Sequence, residues 1–221
     1  MNSDPTWQTT DDYLTDILIG GDDALDSALA ANSEQGLPPI DVSAPQGKFL
    51  HLLARAVGAR KILEIGTLGG YSTIWFARAV GSSGRVITLE YEPHHAEVAR
   101  ANLDRAGVGD IVDIRVGAAL DSLPHLGSEA PFDLVFIDAD KENNPRYVRA
   151  ALELSRPGTV VVVDNVVRGG AVSDAGLDDE RIRASREVLE LIASEPRLDG
   201  TALQTVGSKG WDGFALALVT G

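Results

Sequence analysis

The sequence predicts a doubly wound α/β fold: a mostly parallel seven-stranded sheet with helices at the N-terminus and an antiparallel hairpin at the C-terminus. Three observations predict it. From Lys61 onward, short apolar runs alternate with longer stretches of helical periodicity. The first run, Lys61 to Ile65, passes through a turn holding Gly66, Gly69 and Gly70 into a helix. The last two runs are separated only by Gly207 to Gly213, which is too brief for a parallel crossover, so they form a hairpin.

Two amphipathic helices open the chain, over Thr9 to Ile19 and Asp23 to Asn32, the second opened by an aspartate able to cap free backbone N–H groups. Tyr13, Leu14, Ile17 and Leu18 make an apolar face on the first that suits core packing better than a lid or dimer contact. Gly36, Pro38 and Pro39 break the pattern. A third helix, Pro45 to Val57, places Phe49, Leu50, Leu52, Leu53 and Val57 largely on one face. After the strand at Lys61 come a helix over Ser72 to Val80, then strands at Val86 to Leu89, Ile111 to Val116, Leu134 to Ile137 and Val160 to Val163. Helices over Pro93 to Ala106, Leu120 to Leu126, Pro145 to Ser155 and Asp179 to Ser194 lie between or after them. Strands at Leu203 to Val206 and Phe214 to Val219 complete the sheet. A chain of 221 residues fits one domain, with residues 1–40 as a helical cap and residues 41–221 as the core.

A net charge of −14 disfavours a nucleic-acid substrate, because a phosphate backbone is met by a Lys/Arg-rich face. Small molecules are the expected partners. The lack of cysteine excludes disulfides and thiolate zinc sites. No apolar run approaches the length of a membrane span, and a soluble, cytoplasmic protein is expected.

The glycine turn does not have the G-x-G-x-x-G spacing of a dinucleotide site, and Glu64 just before it would repel phosphates. That carboxylate suits a ligand with a positive charge, such as the sulfonium and ammonium of S-adenosylmethionine. Glu90 ends the next strand, where an acid in such folds takes ribose hydroxyls. A second constellation lies further on. Asp138 ends one strand, and Asp164 with Asn165 ends the next, one helix and one strand later. A right-handed crossover puts these ends about 4.8 Å apart on one sheet edge. Two carboxylates and an amide oxygen make a hard, oxygen-only donor set that favours Mg²⁺, with Mn²⁺ or Ca²⁺ as alternatives. Asp138 and Asp140 as helix caps, with Asn165 as a turn residue, is the competing explanation.

Four segments in this order, LEIGTLGGYS (Leu63 to Ser72), TLEYEP (Thr88 to Pro93), FIDADK (Phe136 to Lys141) and VVDNVVRGG (Val162 to Gly170), carry a resemblance. From about Leu37 onward, the chain resembles the cation-dependent class I O-methyltransferases, the catechol and caffeoyl-CoA O-methyltransferase family, and especially its small bacterial members. The resemblance implies the Rossmann-like class I methyltransferase fold, a homodimer, and methyl transfer from S-adenosylmethionine to a hydroxyl of a small catechol-like aromatic. It implies that Glu64 lies by the methionine amino group, that Gly66 and Ser72 line the cofactor, and that Glu90 binds the ribose. Val42, Gly117 and Ala118 match positions flanking the cofactor, and Asp138, Asp164 and Asn165 match metal ligands. Lys141 matches a general base toward the reacting hydroxyl, beside Asp138. Trp211, within the hairpin turn, and Arg168 are candidates to border the acceptor pocket. His51, His94, His95 and His125 read as structural or exposed. Another acceptor on the same scaffold, or a cofactor-binding protein without chemistry, are the rival functions.

Overall fold

The structure, a computed structural model, describes residues 4–221. Its helices are α1 (Pro5–Leu18), α2 (Asp23–Glu34), α3 (Ala44–Ala56), α4 (Tyr71–Val80), α5 (Pro93–Arg105), α6 (Ala119–Ser122), α7 (Asn144–Glu153) and α8 (Glu180–Ser194). The strands are β1 (Lys61–Ile65), β2 (Arg85–Glu90), β3 (Val112–Val116), β4 (Leu134–Ile137), β5 (Val160–Asp164), β6 (Leu198–Gly207) and β7 (Gly210–Val219). They form one seven-stranded sheet in the order β3-β2-β1-β4-β5-β7-β6. Pairing is parallel from β3 to β5 and antiparallel where β7 meets β5 and β6. The chain turns outward in both directions from β1, so the crevice between the ends of β1 and β4 is the switch point where such sheets bind ligands.

Strand periodicity of two sorts the core into two layers. Leu63, Ile65, Ile87, Leu89, Val135, Ile137, Val161 and Val163 pack against α6, α7 and α8 on one face. Ile62, Val86, Leu134, Phe136, Val160 and Val162 pack against α2, α3, α4 and α5 on the other. No helix among the described residues is long and apolar enough to cross a membrane.

Several local expectations are corrected. The cap of α2 is Asp22, whose carboxylate accepts from Ala24 and Leu25 N–H and pairs with Arg78 at 2.6 Å. Helix α1 buries none of its residues: Tyr13, Leu14, Ile17 and Leu18 are exposed, Ile17 at 65% and Leu18 at 68%. It packs at the edge of the sheet against β6 and α3, with this apolar face left exposed among the described residues. Helix α3 buries Gly47, Leu50 and Ala54 and leaves Phe49, Leu52 and Val57 exposed. Small residues face inward here because α3 presses on α4: a Cβ at Gly47 would sit 2.4 Å from the Trp75 indole. The stretch expected as a helix over Leu120 to Leu126 is a four-residue helix followed by a 3₁₀ turn at Leu123–His125. Pro124 has no N–H to continue the α-helical ladder.

The hairpin is longer than the apolar pattern indicates. Its turn is only Ser208 and Lys209, so Trp211 stands in β7 opposite Val206. Gly210 and Gly213 make β7 read as a loop, yet Gly213 is there for close approach: a Cβ would lie 2.2 Å from the Leu203 carbonyl oxygen.

A buried amide network ties the N-terminal helices to the glycine turn. Asn102 Nδ2 donates to Asn32 Oδ1 (3.0 Å) and to the Gly69 carbonyl (2.8 Å), while Asn32 Nδ2 donates to Asp41 Oδ1 (2.9 Å). Asn32 and Asn102 are both buried, and a lost partner there leaves polar groups unsatisfied. Asn32→Ala is therefore expected to destabilise the protein by about 1–3 kcal/mol, read as a lower urea midpoint; an unchanged midpoint would show that the network contributes nothing net.

Candidate functional site

The C-terminal ends of β1, β2, β4 and β5 converge on the switch-point crevice. Gly66 follows β1 at φ 102°, and a Cβ there would lie 2.2 Å from the Asp138 carbonyl oxygen. Only glycine lets the turn after β1 lie against the end of β4. Asp138 N–H donates to the Ile65 carbonyl at 2.8 Å, closing the same contact from the other side.

Glu64 lies beneath this turn with no exposed surface, on the sheet face that packs against α4. Its carboxylate accepts from Ser72 Oγ (2.5 Å), Thr73 Oγ1 (2.5 Å) and Thr88 Oγ1 (2.7 Å). Burial pushes its pKa up to about 7, against the lowering effect of the three hydroxyls. Ser72 is itself nearly buried, with its hydroxyl committed to Glu64.

Glu90, at the end of β2, is buried. Its Oε2 accepts from Thr67 N–H (3.0 Å) and Leu68 N–H (2.8 Å), and its Oε1 from Glu92 N–H (3.0 Å), with His95 Nδ1 at 3.3 Å. These bonds hold the turn in the shape that gives Leu68 a φ of 49°, a conformation that costs about 1 kcal/mol or more in a non-glycine residue. At the end of β3, Gly117 has φ 131° and donates its N–H to the Glu90 carbonyl at 2.8 Å. Gly117 and Ala118 line an open cleft of about 400 Å³ with Arg115, Val116, Asp121, Ser122 and His125. Val42 is buried just before the Ser43 cap of α3.

The second constellation forms one register step beyond the paired residues Phe136 with Val162 and Ile137 with Val163. Asp138 and Asp164 follow on these adjacent strands, and Lys141 Nζ donates to Asp138 Oδ1 at 2.6 Å. Asp164 is 6% exposed. Burial first, and then the Asp138 charge, pushes its pKa well above the usual carboxylate range, offset by Lys141, by Gln46 and by Asn165 N–H. Gln46 Nε2 donates to Asp164 Oδ2 at 2.7 Å, and Asn165 N–H to Oδ1 at 2.8 Å. Asn165 itself turns at φ 60°, a conformation that asparagine tolerates. Among the described residues, no three His, Cys, Asp or Glu side chains form a metal cage. The two carboxylates, with the Asn165 amide next in the chain, are donors of the kind that would suit a hard divalent cation.

Arg168 and Trp211 sit in a neighbouring assembly. Asp212 Oδ1 accepts from the N–H groups of Val167 and Arg168, and the Arg168 guanidinium lies 4.0 Å from the same carboxylate. The Trp211 ring packs on Gly170, with its Nε1 donating to Gln204 Oε1 at 3.0 Å. Sequence reasoning missed Gln46, Thr73, Thr88 and the placement of His95 at Glu90 and His125 at the cleft. None carries a local signal, since each meets its partner through tertiary packing.

The O-methyltransferase family profile matches residues 23–218. The chain belongs to the O-methyltransferase family. Over 219 residues, covering 99% of each chain, it is 59% identical to a catechol O-methyltransferase of Mycobacterium tuberculosis. A catechol O-methyltransferase of Niastella koreensis is 49% identical over 96% of this chain and 97% of its own. The crystal structure of the O-methyltransferase TomG from Streptomyces achromogenes, in complex with SAM, superposes with a TM-score of 0.95 at 52% identity, covering 100% of both chains. The O-methyltransferase family expected from the four sequence segments, and the seven-stranded sheet expected from the alternating apolar and helical runs, both hold.

The Glu64 environment has a consequence for pH. A carboxyl held near 7 in the fold and near 4.5 when unfolded is favoured protonated in the native state. Its contribution is complete below the unfolded value and lost as pH rises through the folded one. Urea unfolding of the ligand-free protein at pH 5 and pH 8 is expected to show wild type losing up to about 3 kcal/mol more than Glu64→Gln over that interval. Equal losses would show that Glu64 ionises as freely in the fold as outside it.

Proposed function

We propose that this family member transfers the methyl group of S-adenosylmethionine to a hydroxyl of a small aromatic bearing vicinal hydroxyls, with a divalent metal ion at the acceptor. The observation that carries the proposal is the pairing of Asp138 and Asp164 at adjacent strand ends, with Lys141 on Asp138 and the Gly66 turn against the same strand. The names of the two catechol O-methyltransferases, and the SAM complex of TomG, support it.

On this proposal the donor occupies the crevice beside Gly66, with Ser72 toward its amino-acid end, Glu90 toward its ribose, and Gly117 and Ala118 beside its adenine. Val42 flanks the cofactor, and Glu64 lies by its amino group. Asp138, Asp164 and Asn165 hold Mg²⁺, or Mn²⁺ or Ca²⁺ in its place. When bound, the ion supplies positive charge that favours the ionised acceptor hydroxyl over the neutral form, whose ordinary pKa is about 10. Lys141 Nζ acts as base or electrostatic partner toward that hydroxyl. The protein otherwise contributes alignment: phenolate and sulfonium lose opposite charges as the methyl moves, so holding them in line in a partly dry crevice accelerates transfer.

The exposed apolar side chains of α1 and β6, including Tyr13, Ile17, Leu18, Leu203 and Val206, support a homodimer through this edge of the sheet. Cysteine-free, acidic composition supports a cytoplasmic location.

Methyl transfer from labelled S-adenosylmethionine to catechols and matched monophenols is expected only with the vicinal diols and only without EDTA. Transfer that persists in EDTA would remove the metal from the mechanism, and transfer to monophenols would remove the chelate. Lys141→Met is expected to lower kcat by about 10²-fold or more with S-adenosylhomocysteine affinity retained; an unchanged kcat rules out its catalytic role. Ile17→Glu is expected to halve the mass found by light scattering, and an unaltered mass would move the dimer contact away from α1.

A further inference from the structure

We infer that Gln46 is a positioning residue for Asp164, holding the buried carboxylate in the orientation that a metal ion requires. The inference rests on the metal site proposed above. Gln46 Nε2 reaches Asp164 Oδ2 at 2.7 Å from a position 118 residues away in sequence. The other oxygen accepts Asn165 N–H at 2.8 Å, so each carboxylate oxygen has one donor and the plane of the group is fixed. Each oxygen keeps a further lone pair free for a cation.

The Gln46 side chain is itself held in place. It stands in the first turn of α3, where Ser43 Oγ accepts its backbone N–H at 3.3 Å. The next residue, Gly47, lies so close to Trp75 that a Cβ would be 2.4 Å from the indole. Lys48 then places its ammonium 5.6 Å from the centre of the same ring. Helix α3 thus sits tightly on α4, and α4 begins at the glycine turn. Gln46 carries that rigidity across the crevice to β5, joining the cofactor side of the site to the metal side. Without the amide, Asp164 would keep only the N–H of its own neighbour and could rotate about its side-chain bonds. A ligand oriented by an outer hydrogen bond loses metal affinity when the bond is removed, by about 10- to 100-fold.

The test uses the full chain with Gln46→Met and Gln46→Ala, both helix formers at a half-buried position, so the fold is retained. Mn²⁺ binding is followed by the paramagnetic resonance signal of the free ion, and S-adenosylhomocysteine binding by calorimetry. Both variants are expected to bind Mn²⁺ about ten-fold or more weakly and S-adenosylhomocysteine as wild type does. Arg55→Ala, at an exposed position on the same helix, is expected to leave Mn²⁺ affinity unchanged. Wild-type Mn²⁺ affinity in both Gln46 variants would overturn the inference, as would an equal loss in Arg55→Ala, which would indicate a general disturbance of α3. Parallel loss of S-adenosylhomocysteine affinity would overturn it too, assigning Gln46 to the cofactor. Separately, wild-type protein whose Mn²⁺ binding is absent or insensitive to Asp164→Asn would overturn the metal site itself.

Discussion

The close contact between Gly66 and the end of β4 is the constraint on which the rest of the site depends. It brings the turn after β1 within van der Waals distance of the Asp138 backbone, so the two halves of the crevice share one wall. The sheet order puts β1 beside β4, and the parallel register carries Asp138 and Asp164 to the same edge. A side chain at Gly66 would have to separate these strands at their ends, and with them the glycine turn and the carboxylate pair.

Around this contact the protein buries three acids and provides each with different donors. Glu64 takes three hydroxyls, Glu90 takes backbone N–H groups of the turn it supports, and Asp164 takes Gln46 and its own neighbour. The choice of donor matters for what each acid does. Hydroxyls stabilise Glu64 in either protonation state, because they can accept as well as donate. Backbone N–H groups only donate, so they commit Glu90 to accept and let it shape the loop. Asp164 has the weakest provision relative to its burial and to the charge of Asp138 beside it. The positive charge that Lys141 places on Asp138 offsets part of that effect.

The remaining polar ties connect elements remote in sequence. Asn102 and Asn32 join α5, α2 and the turn; Asp212 anchors the backbone after β5; Asp140 accepts from the Tyr147 hydroxyl at 2.5 Å and so braces the segment bearing Lys141. These contacts pass through well-packed groups, and they give the loops above the sheet fixed positions although loops carry most of the candidate chemistry.

The sequence by itself determined the succession of strands and helices, the glycine turn, and the acids at strand ends, because periodicity and turn chemistry are local properties. It located the boundaries of β1, β4 and β5 closely, since strands buried on both faces have no polar interruption. It misjudged α1, α3 and the hairpin, where the outcome depends on neighbours. The apolar stripe on α1 looks like a core face but stays exposed where the helix meets the sheet edge and α3, and β7 contains glycines that read as a loop until the Leu203 carbonyl is found against one of them. Tertiary structure alone decided which donor serves each buried acid. Gln46 and Asp164 illustrate the reason: a hydrogen bond spanning 118 residues leaves no spacing or periodicity in the chain, only a geometry once the sheet has closed.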